Sequence, residues 1–288
     1  MRRLPSEPVS EMYKHRQYAV QKIFERKIFW LIITSYGALL FLLIMFLKTS
    51  PMADEFRYRF NGTDCVIQCI NYDYGNGVYF ECDGESVLID SGSSEHSEEL
   101  LDFIENQGIE KLDYFLVPNP SEEYLNVFAE VIDSVDITGV VISKCEDSLY
   151  LKYDELTFVN VVQLFTADIC PYFVAGDLQF DIADAKTMSA QVKFESNLFL
   201  LSNLSDENED KEFAESVYDE KADLLISLNG RLPSKSLFET HTVKNIIIDG
   251  GEIGSDLDCS AKIHSTYSCG NVIVKSNGVK LKFEYEIE

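Results

Sequence analysis

The sequence predicts an α/β fold of the α+β kind, in which packed β-sheets are covered by outer helices, preceded by a single membrane-spanning helix. Three observations predict it. An uninterrupted apolar run lies near the N-terminus, alternating strand-like and helix-like segments follow it, and Asp-Gly and Asn-Gly dipeptides suited to tight hairpins occur between apolar segments. With 288 residues and 46% apolar content, the chain can build one sizeable core.

The apolar run predicts the membrane helix. Residues 28–47 are uncharged and mostly apolar, and Lys27 and Lys48 flank them. About 20 such residues cross the hydrocarbon core of a bilayer. A buried core helix is the alternative, but soluble helices of this length usually carry a polar face. A cleaved signal peptide fits poorly, because the segment before the run is long and no small-x-small cleavage site follows it.

The charges around this run predict its orientation. Basic residues are concentrated before it, at Arg2, Arg3, Lys14, Arg16, Lys22, Arg26 and Lys27. Because basic segments stay in the cytoplasm, we expect a single-pass protein of the cell membrane. Its predicted parts are a cytoplasmic segment (1–27), a transmembrane helix (28–48), a linker (49–60) and an extracellular domain (61–288).

The charge of the predicted domain excludes one class of partner. Residues 1–48 hold 8 Lys/Arg and 3 Asp/Glu, which leaves 16 basic and 46 acidic residues for the rest of the chain. A net charge near −30 repels phosphate backbones, since nucleic-acid affinity comes largely from Lys and Arg. We therefore expect the membrane and an unidentified protein as partners, and no nucleic acid.

The spacing of apolar residues and the turn-forming residues predict where the strands and helices of the domain lie. In its first half we predict strands at 64–70, 77–82, 86–90, 112–117 and 139–143, with helices at 97–107 and 121–133. In its second half we predict strands at 158–165, 178–182, 191–194, 198–201, 223–228 and 243–248, with a helix near 210–218. A final hairpin, 271–275 and 279–284, turns at Asn277-Gly278.

The seven cysteines all follow the predicted span. Cys65 and Cys82 are placed to face each other across a hairpin, although buried thiols that behave as small apolar groups are the favoured state. No CxxC pair occurs, so the sequence does not predict a structural zinc site.

Active-site motifs are also missing from the sequence. His15 lies in the cytoplasmic segment, and His96, His241 and His264 lie in unrelated segments, where we expect ordinary surface or loop roles. No nucleophile elbow, phosphate loop or dinucleotide-binding glycine pattern is present. The acidic run 206–212 lacks the spacing of a calcium loop, and a solvated loop entering a helix is the favoured interpretation.

Five segments resemble the C-terminal hydrolase-like domain of ComEC-type DNA-uptake proteins, within the metallo-β-lactamase superfamily. In chain order they are Val87 to Gly92, Gly108 to Ile132, Leu198 to Phe213, Ala222 to Arg231 and Lys262 to Phe283. The resemblance covers most of the domain and implies an αββα sandwich. It also implies a site for catalytic metal at the ends of the strands.

The family's metal-binding residues are not kept at the matching positions. Where the family has His-x-His-x-Asp-His, this chain has Pro118, Pro120, Glu122 and Glu123. Leu204 stands where the family has its Gly-Asp turn, and Asn229 stands where the family has His-His-Gly-Ser. Asp90, by contrast, keeps the family's residue type. Zinc is held mainly by imidazole, thiolate and carboxylate, so this set predicts a degenerate site with no metal, no cofactor and no catalytic residue.

The preferred interpretation is a non-catalytic binding or scaffolding domain. If the old pocket is structural, Pro118, Pro120, Leu204 and Leu228 should fill it with carbon. One alternative is a hydrolase with a rebuilt site that uses Asp90, Glu122, Glu123 and one histidine. Another is a DNA-uptake accessory, which follows from the family resemblance alone and conflicts with the acidic charge.

Overall fold

The computed structural model describes residues 65–72, 75–90, 97–160, 162–248 and 260–286. The predicted cytoplasmic segment, membrane span and linker lie outside these ranges. Within the ranges, no helix combines the length and apolar character that crossing a membrane requires.

Fifteen strands and six helices make up the described part of the domain. The strands are β1 Cys65–Tyr72, β2 Gly75–Cys82, β3 Glu85–Asp90, β4 Lys111–Val117, β5 Asp136–Ile142, β6 Gln163–Thr166, β7 Tyr172–Ala175, β8 Leu178–Asp184, β9 Ser189–Phe194, β10 Asn197–Ser202, β11 Lys221–Ser227, β12 Thr242–Ile248, β13 Lys262–Ser265, β14 Asn271–Ser276 and β15 Leu281–Glu286. The helices are α1 Ser97–Gln107, α2 Leu125–Ser134, α3 Asp147–Val159, α4 Glu207–Ser216, α5 Lys235–Thr240 and α6 Thr266–Cys269.

The strands form two sheets with the same plan. The first has the order β15-β14-β1-β2-β3-β4-β5-β6, and the second has the order β13-β12-β11-β10-β9-β8-β7. In the first sheet the pairs from β15 to β3 are antiparallel and those from β3 to β6 are parallel. In the second, β7 to β10 are antiparallel and β10 to β13 are parallel. Each sheet therefore has one edge where the carboxyl ends of parallel strands lie side by side.

The apolar side chains fall into three layers. The central layer lies between the sheets and includes Phe80 and Phe180, whose rings meet edge to face with centroids 5.5 Å apart. A second layer packs α1, α2 and α3 against the first sheet, with Phe128 among its buried members. A third packs α4 and α5 against the second sheet around Phe213. The predicted αββα sandwich is confirmed.

The local sequence explains why β10 and α2, which lie next to the strand ends, form where they do. All six residues of β10 are buried, as expected for a strand inside a sheet that is covered on both faces. Helix α2 buries Val127, Phe128, Val131 and Ile132, which recur at helical spacing on one face.

Several boundaries differ from the prediction. Helix α3 was not predicted, and the strand expected at 158–165 begins only at Gln163. The helix was missed because several of its apolar residues face solvent, so α3 lacks a continuous apolar stripe. These residues are Leu151, Phe158 and Val159. The short elements β7, α5, β13 and α6 were also missed, and β15 begins at Leu281 instead of residue 279.

The cysteines in the described ranges are thiols. Cys65 and Cys82 are direct partners in the β1–β2 pair, as the hairpin predicted, and both are fully buried. Cys69 is also fully buried. The preferred interpretation of these three residues as small apolar core groups agrees with their place in the central layer.

Candidate functional site

The carboxyl ends of parallel strands from both sheets meet at one edge of the sandwich. Asn119 follows β4 in the first sheet and Asn203 follows β10 in the second. The Asn203 side-chain nitrogen donates a hydrogen bond to Asn119 Oδ1 at 3.1 Å. Strand ends of this kind are the usual place for a ligand in sheets with parallel strands, so we treat this edge as the candidate site.

Asn203 is the buried centre of a cluster of polar side chains. Its side-chain nitrogen also donates to the Thr187 carbonyl at 3.0 Å, and its backbone nitrogen donates to Ser189 Oγ at 3.1 Å. The Thr187 hydroxyl donates to Asp184 Oδ2 at 2.8 Å. Thr187, Ser189 and Asn203 are buried. The four residues Asn119, Thr187, Ser189 and Asn203, here called the strand-end cluster, consist of neutral amides and hydroxyls.

The first predicted ligand segment is a loop between β4 and α2. Pro118 is buried, Asn119 is exposed and Pro120 is half-buried. Tyr153 of α3 fixes the loop, because its hydroxyl donates to the Ser121 carbonyl at 3.0 Å and accepts from the Ser121 nitrogen at 3.2 Å. The helix expected from Ser121 begins at Leu125, and the Ser121 hydroxyl accepts from the Tyr124 nitrogen.

The two glutamates of this loop, Glu122 and Glu123, are exposed to solvent. Glu122 is exposed and forms an ion pair with Lys152 of α3. That hydrogen-bonded ion pair lowers the pKa of Glu122. Glu123 is exposed as well. Helix α2 begins after both glutamates, so neither carboxylate lies in its first turn.

The segments after β10 and β11 are joined by a second group of hydrogen bonds. The Asn229 side-chain nitrogen donates to the Leu204 carbonyl at 2.6 Å, and Arg231 Nη1 donates to the same carbonyl at 3.1 Å. Arg231 also forms a two-pronged ion pair with Asp210, at 3.2 Å from Nη1 to Oδ1 and 2.8 Å from Nη2 to Oδ2. The Asp210 side chain is fully buried and accepts a further bond from the Ser234 nitrogen. These contacts satisfy the polar groups around the loop.

The apolar residues expected to fill the old pocket do not all lie together. Leu228 is buried in the central layer between the sheets, whereas Leu204 is buried in the outer layer beneath α4 and α5. The expectation of one carbon-filled pocket is therefore wrong for Leu204. Its neighbour Asn203 turns inward instead, and it fills this part of the edge with hydrogen bonds.

Other predicted positions lie apart from the strand-end cluster or outside the described residues. Asp90 ends β3, and its side chain is outside the described residues, as is His96. Asp206 caps α4 by accepting from the Asn208 and Glu209 nitrogens, so the acidic run does enter a helix as expected. Those two backbone hydrogen bonds lower the pKa of Asp206.

Two histidines are buried: His264 in a strand, contrary to the expected surface or loop role, and His241 in the connection between α5 and β12. His241 follows α5, and its Nδ1 lies 2.7 Å from the Thr240 hydroxyl. His264 lies in β13 and stacks on Phe283 with ring centroids 4.3 Å apart, while its Nδ1 lies 2.7 Å from Tyr285 Oη. Its Nε2 is buried with no hydrogen-bond partner in the described ranges. Burial lowers the pKa of His264 to about 4.

The donor atoms described after β4, β10 and β11 do not suit catalytic zinc. Proline and leucine side chains have no donor, and the amides of Asn203 and Asn229 are held by hydrogen bonds to Asn119 and Leu204. No group of three or more His, Cys, Asp or Glu side chains within the described part of the chain is arranged to hold a metal ion. Sequence reasoning missed Asn119, Thr187, Ser189 and Asn203, since only their contact across two sheets distinguishes them from ordinary turn residues.

Sequence comparison finds no matching protein family and no matching curated protein. Comparison with solved structures finds a diphosphatase of the PhnP family at 13% identity and a TM-score of 0.43, covering 78% of this chain and 100% of that one. A metallo-β-lactamase bound to 2-mercaptoethanesulfonate is similar at 10% identity and a TM-score of 0.38, covering 57% of this chain and 76% of its own.

A third similar structure is rubredoxin:oxygen oxidoreductase from Desulfovibrio gigas, at 14% identity and a TM-score of 0.31. That likeness covers 53% of this chain and 46% of the oxidoreductase. The αββα layering of this chain, seen in its own sheets and helices, is the arrangement that the sequence resemblance implies.

Proposed function

We propose that this chain is a membrane-anchored, extracytoplasmic protein of the metallo-β-lactamase fold that binds or scaffolds another protein and carries out no hydrolysis. In this proposal the edge that holds metal in catalytic relatives has become a structural joint between the sheets. The observation that carries the proposal is the hydrogen bond from Asn203 to Asn119. It occupies the strand ends with neutral amides that neither ligate zinc strongly nor transfer protons at neutral pH.

The surroundings of this hydrogen bond support the proposal. Leu228 places a buried aliphatic side chain at the position of the family's first His of His-His-Gly-Ser. Glu122, a carboxylate from the old ligand segment, pairs with Lys152 on a different element. General acid and base catalysis needs titratable groups that converge on one substrate position, whereas the four residues of the strand-end cluster are amides and hydroxyls.

A protein partner is supported by the surface of α3. Leu151 and Phe158 are 63% and 82% exposed and lie seven residues apart, so they share one side of the helix. Val159 beside them is 73% exposed. Large apolar side chains grouped in solvent are typical of contact surfaces. The membrane anchor is supported by the apolar run 28–47 and by the basic residues before it.

Metal content and activity test the proposed loss of catalysis. The full-length protein, purified in detergent after expression with zinc, manganese or iron, should retain far less than one metal per chain. It should also turn over no phosphodiester, phosphomonoester, lactam or thioester substrate with added divalent metal. Stoichiometric zinc that is lost on mutation of Asp90 or Glu122, with turnover abolished by Glu123→Ala in a folded protein, would establish a rebuilt hydrolase site instead.

Protease accessibility tests the proposed location separately. Protease added to intact protoplasts should degrade the part of the chain after residue 60 and leave the N-terminal segment protected. Protection of the domain in intact protoplasts, followed by its degradation after lysis, would show that the domain faces the cytoplasm. That result would leave the assignment of the strand-end cluster unchanged.

A further inference from the structure

The open end of the β1–β2 hairpin carries a pair of cysteines. Cys65 is the first residue of β1 and Cys82 is the last residue of β2, and the two are direct partners in the antiparallel ladder. Both side chains point into the central layer and are fully buried. Direct partners have Cβ atoms about 4.5–5.5 Å apart, and a disulfide needs about 3.5–4.5 Å. A movement of about 1 Å would therefore bring the two sulfurs to bonding distance.

We propose that Cys65 and Cys82 are a disulfide site, at which oxidation closes the hairpin covalently. This inference goes beyond the proposed function. It does not depend on where the domain lies, because the oxidant can be supplied to the purified protein. The ladder also excludes a bond between Cys65 and Cys69. Cys69 lies four residues further along β1, roughly 13 Å from Cys65 at about 3.3 Å per residue, and its own partners are Val78 and Val272.

The neighbourhood of Cys82 favours it as the attacking thiol. The hydrogen bond with the Cys65 thiol lowers the pKa of Cys82, and a backbone hydrogen bond from Asp177 in the β7–β8 turn acts in the same direction. The thiolate is the form that attacks a disulfide. The turn also lies directly over Cys82, because a Cβ atom added to Gly176 would come within 2.4 Å of the Cys82 carbonyl oxygen.

The reaction is a balanced thiol–disulfide exchange with oxidised glutathione or a protein disulfide as the oxidant. The Cys82 thiolate attacks one sulfur of the donor, forms a mixed disulfide and releases the donor's second sulfur as a thiolate. Cys65 then loses its proton and attacks the Cys82 sulfur, which forms the Cys65–Cys82 bond and releases the first donor sulfur. Two protein thiols are oxidised, and the donor disulfide is reduced to two thiols.

The burial of both sulfurs decides how the site must be tested. The full-length protein in detergent is incubated with reduced and oxidised glutathione at ratios that become steadily more oxidising, in mild denaturant that opens the core transiently. Remaining thiols are alkylated, and the chain is cleaved after glutamate. Cleavage after Glu81 and Glu85 releases Cys82 in a four-residue peptide, separate from the peptide that holds Cys65 and Cys69.

We expect a linked product of these two peptides that disappears in Cys65→Ser and Cys82→Ser and persists in Cys69→Ser. The oxidised protein should melt roughly 5–10 °C above the reduced protein, as expected for a disulfide that closes a loop of this length. Cys69 reports whether reagents reached this part of the core. If Cys69 is alkylated or glutathionylated while Cys65 and Cys82 stay unlinked at every ratio, the proposal is overturned. A linked product that survives in Cys65→Ser, which would indicate a Cys69–Cys82 bond, also overturns it.

Discussion

The side-chain nitrogen of Asn203 donates to Asn119 Oδ1 at 3.1 Å and to the Thr187 carbonyl at 3.0 Å, so one amide holds together the ends of two sheets. Both hydrogens of that amide are used. Because Asn203 is buried, a replacement that cannot donate leaves these oxygens without the bonds that the amide supplies. The contact therefore gives a direct test of the structural role proposed for this edge.

Asn203→Asp should destabilise the domain by about 1–3 kcal/mol, since a carboxylate would face two oxygen acceptors and leave buried polar groups unsatisfied. Asn119→Ala removes one of the same bonds at an exposed position and should cost less than half as much. Urea denaturation followed by fluorescence measures both changes. Equal stability of Asn203→Asp and the parent protein would show that the cluster does not hold the sheets together.

Leu228→Ala should lower the free energy of unfolding by about 2–5 kcal/mol, because Leu228 is 1% exposed in the central layer and its truncation leaves a cavity. Glu123→Ala is the matched surface change and should leave the melting temperature almost unchanged. Thermal unfolding of both variants, monitored by circular dichroism, makes the comparison. A larger loss of stability for Glu123→Ala than for Leu228→Ala would place the glutamate in a structural role that its exposure does not predict.

Arg231→Ala should be strongly destabilising, because it leaves the fully buried Asp210 carboxylate without its two-pronged partner. We expect a loss near the lower end of the about 3–5 kcal/mol range for a broken buried pair, since Arg231 is itself 31% exposed. Lys152→Ala breaks the exposed ion pair with Glu122 and should change stability little. Denaturation curves of the two variants compare the loss of the buried ion pair with the loss of the exposed one. Similar midpoints for the two variants would contradict the predicted difference.

The free energy of unfolding should fall as the pH decreases from about 6.5 to about 4 because of His264. Burial lowers its pKa from 6.5 to about 4 in the folded chain, so the unfolded chain takes up a proton in this range that the folded chain refuses. The loss amounts to up to about 3 kcal/mol and is complete below pH 4, where both states are protonated. His264→Gln should flatten this part of the profile. An unchanged slope in His264→Gln would assign the dependence to other groups.

Regular patterns made much of the fold predictable. Helix α2 was found because its apolar residues recur on one face, and β10 because its four central residues are all apolar. Helix α3 was missed since Leu151 and Phe158 face solvent and break the stripe on which helix prediction depends. Very short elements such as β7 carry too few residues for a period to be recognised.

The candidate site was predictable in its position but not in its contacts. The resemblance placed the loop after β4 beside the segments after β10 and β11, and the structure brings the first two together. Which residue of the pair Asn203-Leu204 faces the loop depends on the local backbone after β10, and sequence spacing does not determine it. The bond between Asn119 and Asn203 joins residues 84 positions apart, so only the stacking of the sheets creates it.

The first described strand pairs with one of the last. Cys65 of β1 is opposite Ser276 of β14, and β14 is held in turn by β15. A contact across more than two hundred residues forms late and slowly, because a long loop must close before the pairing stabilises it. The first sheet therefore cannot be completed until the chain has been extended as far as β14, more than two hundred residues after β1. Until then β1 lacks one of its two neighbouring strands, and an unpaired strand edge is a place where partly folded chains associate.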